Sequence, residues 1–584
     1  MSARFAHAMP YGARLMGDGS TRFRLWAPDV EAVTLECEDG HTAAMRALDD
    51  GWFECICPRG VGCAYRFRLG EELAVPDPAS RQQRGGDVHG FSVVVDPSAY
   101  AWKNDGWQGR PWRETVLYEL HVGALGGFAG VEALLPQLAG LGVTAVELMP
   151  VAEFAGARNW GYDGVLPYAP AAAYGTPDEL KSLVDTAHGL GLMVFLDVVY
   201  NHFGPEGNYL HAYASGFFDQ AADTPWGSAI GVSTPQVGDF FVHNALYWID
   251  EFQVDGLRFD AVHAIGNPGW LSALAARVHA AVGNRRHVHL VLENEANQAG
   301  LLGRGRFDAQ WNDDFHNALH VLLTGENEGY YAHYADAPMA KLLRSLREGF
   351  AFQGEAFAGR RRGEPSGHLP PSRFVNFLQN HDQIGNRAFG DRLTSLLEPA
   401  QIEAALVLLL LAPFVPMLFM GEEWGSRTPF QFFTDFPDEA LRTAVREGRR
   451  KEFAAFTHFG GDAIPDPGAE ETFLGSTPER DAELGDARHA LVKRLITLRA
   501  KHIAPHIDTA TTKGADALGD RALVARWALG GGTLSLFVNL GDADVPIEPP
   551  PSPAAAWLHG DAADIASLAR GLLPARRALA CLES

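Results

Sequence analysis

Four short stretches of the chain end in side chains able to carry charge or move protons. They are Phe195-Leu196-Asp197-Val198-Val199-Tyr200-Asn201-His202, Asp255-Gly256-Leu257-Arg258-Phe259-Asp260, Leu290-Val291-Leu292-Glu293 and Phe377-Leu378-Gln379-Asn380-His381-Asp382. Each finishes in acids, amides or imidazoles. Cleavage of an acetal between two sugars needs such a set: one carboxylic acid protonates the leaving oxygen, and an ionised carboxylate meets the positive charge developing on the sugar. In the second stretch, strand alternation puts Gly256, Arg258 and Asp260 on one face and Leu257 and Phe259 on the other. An arginine beside a carboxylate favours the ionised form, which suits Asp260 as nucleophile. Glu293 follows an apolar strand, where desolvation favours the protonated form that a proton donor requires. Asp382 is a third carboxylate, suited to bonding sugar hydroxyls most strongly in the transition state. A retaining mechanism puts the two reacting carboxyls about 5–5.5 Å apart, and an inverting one about 9 Å.

Such segments meet at one rim if they are neighbouring parallel strands. From about Thr115, short apolar runs alternate with helical patterns, and eight strands are expected at 116–122, 143–149, 193–199, 254–260, 288–293, 307–311, 374–380 and 417–420. Amphipathic stretches lie between most of them. Thr176-Pro177-Asp178-Glu179 reads as a helix start, with a threonine cap, proline in the first turn and acids at the positive dipole end. The expectation is an α/β fold: a (β/α)₈ barrel, with reactive groups where strands end. The first hundred residues alternate polar and apolar, as in Arg22-Phe23-Arg24-Leu25-Trp26, and predict an antiparallel sandwich. The tail predicts a hairpin across Gly530-Gly531-Gly532, then a stiff connector at Glu548-Pro549-Pro550-Pro551-Ser552-Pro553. The expected division is an N-terminal sandwich at 1–105, the barrel at 106–505 and a C-terminal antiparallel β domain at 506–584. A Gly-, Pro- and aromatic-rich insertion at 201–236 is expected as a lid.

At 584 residues, 47% hydrophobic and 21% charged, the chain can bury large cores over three or four domains. A formal charge of −24 repels phosphate backbones and makes nucleic acid a poor partner, whereas a neutral substrate carries no such penalty. The first ten residues hold no apolar signal core. The apolar run 404–420 contains Pro413 and Pro416 and lacks basic flanks, so it is read as a buried helix, a turn and a strand, not a membrane span. Cys37, Cys55, Cys57, Cys63 and Cys581 lack zinc spacing and are expected as free thiols, which fits a reducing, cytoplasmic setting. No metal and no cofactor is expected, for there is no dense Asp/Asn ligand run and no nucleotide cradle.

Taken together, Asp197 to His202, Gly256 to Asp260, Glu293 and Asn380-His381-Asp382 resemble the four signature regions of the α-amylase superfamily, glycoside hydrolase family 13, in order. The resemblance implies a retaining double displacement, with Asp260 as nucleophile, Glu293 as general acid/base and Asp382 as transition-state stabiliser. It also implies that Asp197, Arg258, His202 and His381 surround the sugar to be attacked. Asn159-Trp160-Gly161-Tyr162-Asp163-Gly164 resembles the stretch whose tyrosine stacks on that sugar and whose aspartate supports the site. Asn201, His263, Trp311, Asp314 and Gln383 complete the expected substrate-binding set. Phe217, Trp226, Trp424 and Glu423 are further candidates, for sugar contact or for packing.

Within the superfamily, Phe23-Arg24-Leu25-Trp26-Ala27-Pro28 looks like the sandwich of branching, debranching and trehalose-releasing enzymes. His243 to Trp248, Gly256 to Ile265, Trp311 to Asn317, Thr428 to Phe436 and Arg446 to Phe453 resemble the maltooligosyltrehalose trehalohydrolases. This implies maltooligosyltrehalose and related α-glucans as substrates, no membrane, and a pathway shared with maltooligosyltrehalose synthase. Glu295 stands where many members have Asp. Alternatives are a glycogen branching or debranching enzyme, a trehalose-forming isomerase, and a non-catalytic glucan-binding protein. The last would lack one of the three acids, and all three are present.

Overall fold

The computed structural model describes residues 5–71, 73–224, 227–357, 359–453, 464–548, 550–552 and 554–583. Eight parallel strands close into a barrel: β1 (Leu117–Leu120), β2 (Ala145–Leu148), β3 (Met193–Val198), β4 (Gly256–Phe259), β5 (His289–Leu292), β6 (Ala309–Trp311), β7 (Phe374–Phe377) and β8 (Val415–Phe419). β8 pairs back on β1 through Leu117↔Met417 and Tyr118↔Leu418. The fold is therefore the expected (β/α)₈ barrel. Inward positions form layers. Leu117, Ala145, Met193, Phe195, Val291, Ala309, Val375, Phe377 and Met417 fill the lower barrel, and the polar side chains of Glu119, Glu147, Asp197 and Arg258 lie buried above them. Gly256 is required by this layering: a Cβ there would meet Cε1 of Phe195 at 2.1 Å.

Helices α1 (Gly127–Leu141), α2 (Pro177–Gly189), α3 (Pro235–Glu251), α4 (Pro268–Val282), α5 (Asp313–Thr324), α6 (Pro338–Glu348), α7 (Pro399–Leu411) and α8 (Gly485–His502) surround the strands. α2 begins as expected, with a reciprocal capping box between Thr176 and Glu179. Between β5 and β6 there is only the 3₁₀ turn Ala299–Leu301. The apolar run resolves into α7 and β8, with Pro416 inside the strand, and no described helix is long and apolar enough to cross a membrane.

Before the barrel, two antiparallel sheets stack as a sandwich. One holds Arg14–Leu15, Thr21–Trp26, Trp52–Cys57 and Arg46–Ala47; the other holds Thr42–Ala44, Val33–Cys37, Ala64–Leu69, Leu73–Val75 and Ser92–Val93. Arg81 ties this region to α3 by a buried pair with Glu251, Nη2 donating to Oε2 at 2.8 Å. After the barrel, Thr511–Gly519, Ala522–Leu529, Gly532–Asn539, Arg577–Glu583 and Ala556–His559 make a five-stranded antiparallel sheet with the unanticipated helix Ala562–Ala569. Pro549 and Pro553 of the connector lie outside the described residues.

The insertion at 201–236 differs from the expected lid. It carries a hairpin, Phe218–Thr224 with Gly227–Ile230, whose second strand lies against the short helix Val262–Ile265. Phe217 is buried against Trp26 and Phe240, and Ser215 donates its backbone N–H to Asp29. Aromatic burial of Phe217 between the sandwich and α3 fixes this part of its course. Trp226 lies outside the described residues.

Candidate active site

Asp260 and Glu293 are the residues immediately after β4 and β5. Backbone bonds continue the ladder to them: Asp260 N–H donates to Val198 at 3.1 Å and Glu293 N–H to Phe259 at 3.0 Å. Both carboxyls therefore stand at the strand ends of adjacent β-strands. Arg258, fully buried on β4, joins them. Its Nη1 donates to Asp260 Oδ1 at 2.8 Å and to Asp197 Oδ2 at 2.5 Å, and its Nη2 lies 3.4 Å from Glu293 Oε2. Ala261 follows Asp260 in the left-handed region, φ 39°, strained for alanine. That turn aims its N–H at Glu293 Oε2, at 2.6 Å. Asn201 donates from Nδ2 to Asp260 Oδ2 at 2.8 Å.

Asp382 lies on the short helix His381–Gly385, capped by the Asn380 side chain, which accepts from Asp382 N–H at 2.9 Å. Its carboxylate is 43% exposed, against 12% for Asp260 and 17% for Glu293, so it is the acid most open to a ligand. All three carboxylates line one cavity of about 450 Å³, a size suited to a small-molecule site. One wall carries Trp160, Tyr162, Asp163, His202 and His381. Tyr162 stacks on His381 with centroids 5.0 Å apart and donates its hydroxyl to Asp197 Oδ2 at 2.6 Å. His202 pairs with Asn201 and with the Tyr162 carbonyl, the latter at 3.0 Å. Asp163 accepts from Asn159 at 2.7 Å.

The electrostatics divide the carboxyls. Burial pushes Glu293 well above the usual carboxylate range, with Asp260, Asp313 and Asp382 adding and Arg258 opposing. Burial also raises Asp313 to about 7 and Asp197 to about 6. Burial lowers the His381 imidazole, but Asp382 and Glu119 outweigh it and bring it to about 9. His381 is thus a buried cation, with Nδ1 at 2.5 Å from Glu119 Oε1. His202 and His263 are shifted down by burial and so favour the neutral form. A neutral acid at Glu293 beside Asp260, itself bonded to Arg258, is the division of labour that acetal cleavage requires.

Several expected substrate contacts are located elsewhere. Trp311 is buried inside the barrel, its ring beneath the Arg258 guanidinium at 4.1 Å, because the β6 alternation points it inward. Asp197, Asn201 and Arg258 lie beneath the cavity lining, and bear on the site through Tyr162, Asp260 and Glu293. Asp314 also faces away. The Asn312 cap starts α5 at Asp313, and one helical residue turns the side chain about 100°. Asp313 and Asn317, one turn apart, share the cavity face. Asp314 instead accepts from Tyr334, Arg362, Asn297 and the backbone N–H groups of Ala351 and Phe352. It thereby pins Tyr334 and Arg362 of the second wall, which also carries Tyr330 and Phe357 and which sequence reasoning missed. His263 and Gln383 do line the cavity, with Glu295, Asn386 and Phe432. Glu423 is buried under the Tyr118 hydroxyl at 2.8 Å, and neither it nor Trp424 reaches the cavity.

Residues 100–226 match the family model described as alpha amylase, catalytic domain, and residues 511–581 match one described as a domain of unknown function (DUF3459). The chain is 41% identical to the malto-oligosyltrehalose trehalohydrolase of Deinococcus radiodurans, over 90% of this chain and 88% of that protein. It is 39% identical to the protein of the same name from Saccharolobus solfataricus, over 85% and 87%. The chain belongs to the malto-oligosyltrehalose trehalohydrolase family. It is a glycoside hydrolase of the α-amylase superfamily. The fold superimposes on a crystal structure of a Salmonella typhimurium chain described as a candidate alpha amylase, with TM-score 0.92, 42% identity and coverage of 99% and 100%. The pullulanase of Bacillus acidopullulyticus shares the fold at TM-score 0.71 and 16% identity, over 99% of this chain and 76% of that one.

Proposed function

We propose that the chain hydrolyses the α-1,4 bond joining a maltooligosaccharide to a terminal trehalose, with retention of configuration. Asp260 attacks the anomeric carbon while Glu293 gives its proton to the oxygen leaving with trehalose. The product of this step is a maltooligosyl ester on Asp260. Glu293, now ionised, takes a proton from water, whose oxygen attacks the same carbon and frees Asp260. Asp382 bonds hydroxyls of the distorted sugar, Tyr162 offers its ring face, and Glu293 alternates between acid and base, its proton restored by the water consumed. The observation that carries this reading is the Arg258 guanidinium held between Asp260 and Glu293 at a sugar-sized cavity. The substrate's end is supplied by the names of the relatives.

By the same reading, the substrate comes from a maltooligosyltrehalose synthase acting on the reducing end of an α-glucan. A cytoplasmic setting agrees with five free thiols. The similarity to a 1,4-alpha-glucan branching enzyme of Burkholderia thailandensis, 34% over 41% of this chain and 33% of that protein, spans much less of the molecule. Product analysis on maltooligosyltrehalose beside plain maltooligosaccharide is the test. Free trehalose without new α-1,6 branches supports the reading. New branches, or plain maltooligosaccharide cleaved as fast, overturn it.

A further inference from the structure

Among the buried acids of the barrel interior that the reaction above does not use, Glu147 stands out. Glu147, on β2, is 1% exposed, and neither carboxyl oxygen has a hydrogen-bond partner among the described residues. In register, Glu147 sits between Glu119 on β1 and Phe195 on β3. Asp197, two residues beyond Phe195, is the next inward position on β3 and lies diagonally above Glu147.

The charged groups acting on Glu147 are Glu119, Asp197, Arg258 and His381. Both cations are committed. Arg258 serves Asp197, Asp260 and Glu293. His381 serves Glu119, with Asp382 at 3.5 Å. No counter-charge remains for an ionised Glu147, and an unpaired buried carboxylate is too costly to keep. Burial pushes its carboxyl well above the usual range, and Glu119 and Asp197 push it the same way. A neutral carboxylic acid has one O–H to place. Both Glu119 oxygens already accept from His381, through Nδ1 and the backbone N–H. Asp197 Oδ2 accepts from Arg258 and Tyr162, but Asp197 Oδ1 is buried with no donor among the described residues.

We propose that Glu147 is a positioning residue that keeps its proton inside the barrel and donates it, directly or through one buried water, to Oδ1 of Asp197. Asp197 then has a donor on each oxygen and holds Tyr162 and Arg258 at fixed angles. Through them Glu147 sets the orientation of the stacking ring and of both reacting carboxyls. The kinetic consequence rests on the function proposed above; the protonation and the hydrogen bond do not.

Infrared difference spectroscopy at neutral pH separates the two. Wild type minus Glu147→Gln is expected to contain one C=O stretch of a protonated carboxylic acid. Asp197→Asn, which weakens the acceptor, is expected to shift that band. No band lost in Glu147→Gln, or a band unmoved by Asp197→Asn, overturns the proposal whatever the enzyme's substrate. In kinetics, Glu147→Gln keeps a donor and is expected to hold kcat within about twofold. Glu147→Leu leaves Asp197 Oδ1 unpaired and is expected to lower kcat about tenfold, the worth of one lost hydrogen bond, with less change in KM. Equal loss in both variants, or none in Glu147→Leu, contradicts it. Should Glu147→Leu fail to fold, Glu147→Gln and the spectra still decide.

Discussion

Replacing Asp314 with Asn keeps the size of the side chain and removes the charge at the centre of the second cavity wall. Oδ1 accepts from Tyr334 at 2.5 Å and Arg362 at 3.0 Å; Oδ2 accepts from Asn297 at 2.9 Å, Ala351 N–H at 2.7 Å and Phe352 N–H at 3.0 Å. An amide NH₂ must replace one of these oxygens, so at least two donors end up facing a donor. The Arg362 guanidinium, 5% exposed, also loses its buried carboxylate. Breaking a buried pair by removing one partner costs about 3–5 kcal/mol, and two charge-assisted hydrogen bonds at about 1.5–3 kcal/mol each give the same order. The cost falls on residues 329–362, where hydrogen exchange is expected to accelerate upward of about a hundredfold, with a rise in KM as the wall loosens. A raised KM with wild-type exchange in 329–362 would refute the reasoning and return Asp314 to direct sugar contact.

Asp313→Asn, one residue away, is expected to spare the fold and act on pH dependence. The Asp313 charge helps hold Glu293 protonated; without it Glu293 loses its proton at lower pH, and the basic limb of kcat/KM moves down in pH. A limb that stays put or moves up contradicts that coupling. Glu293→Gln is expected to cut turnover by about 10²–10⁴-fold on a natural leaving group and by much less on an activated one, read by comparing the two substrates. Glu251→Gln leaves Arg81 buried against an amide and is expected to destabilise the sandwich–barrel junction by about 3–5 kcal/mol, read from urea unfolding followed by exchange in 14–94 and 235–251; an unchanged unfolding profile argues against that bridge.

What sequence reasoning recovers here has a local cause. Asp260 and Glu293 each follow a strand directly, and alternation alone aligns Arg258 with Asp260. The Thr176–Glu179 capping box is likewise written within four residues. The second wall is different in kind. Tyr330, Tyr334, Phe357 and Arg362 have no shared period, and Tyr334 and Arg362 are tied together by one buried carboxylate accepting from partners 17 to 48 positions away. Asp313 and Asp314 cannot be told apart by type; only the helix phase set by Asn312 separates them. Trp311 reads as a sugar-stacking ring, yet three residues of β6 turn it inward beneath Arg258. The insertion at 201–236 looks like a lid by length and composition, but its aromatic residues bury against Trp26 and α3. The helix Ala562–Ala569 had a readable signal in Asp561, whose side chain caps Asp564 N–H.

In the proposed reaction Asp260 becomes covalently bonded to the sugar while Glu293 supplies the proton. Incubating Glu293→Gln with a glucosyl donor whose leaving group needs no proton should let the first step outrun the second. Mass spectrometry of the digested protein is then predicted to find one glucosyl unit on the peptide carrying Asp260, released when azide replaces water as acceptor. An adduct on Asp382, or an unmodified protein that still turns over with inverted anomeric configuration, would contradict the account.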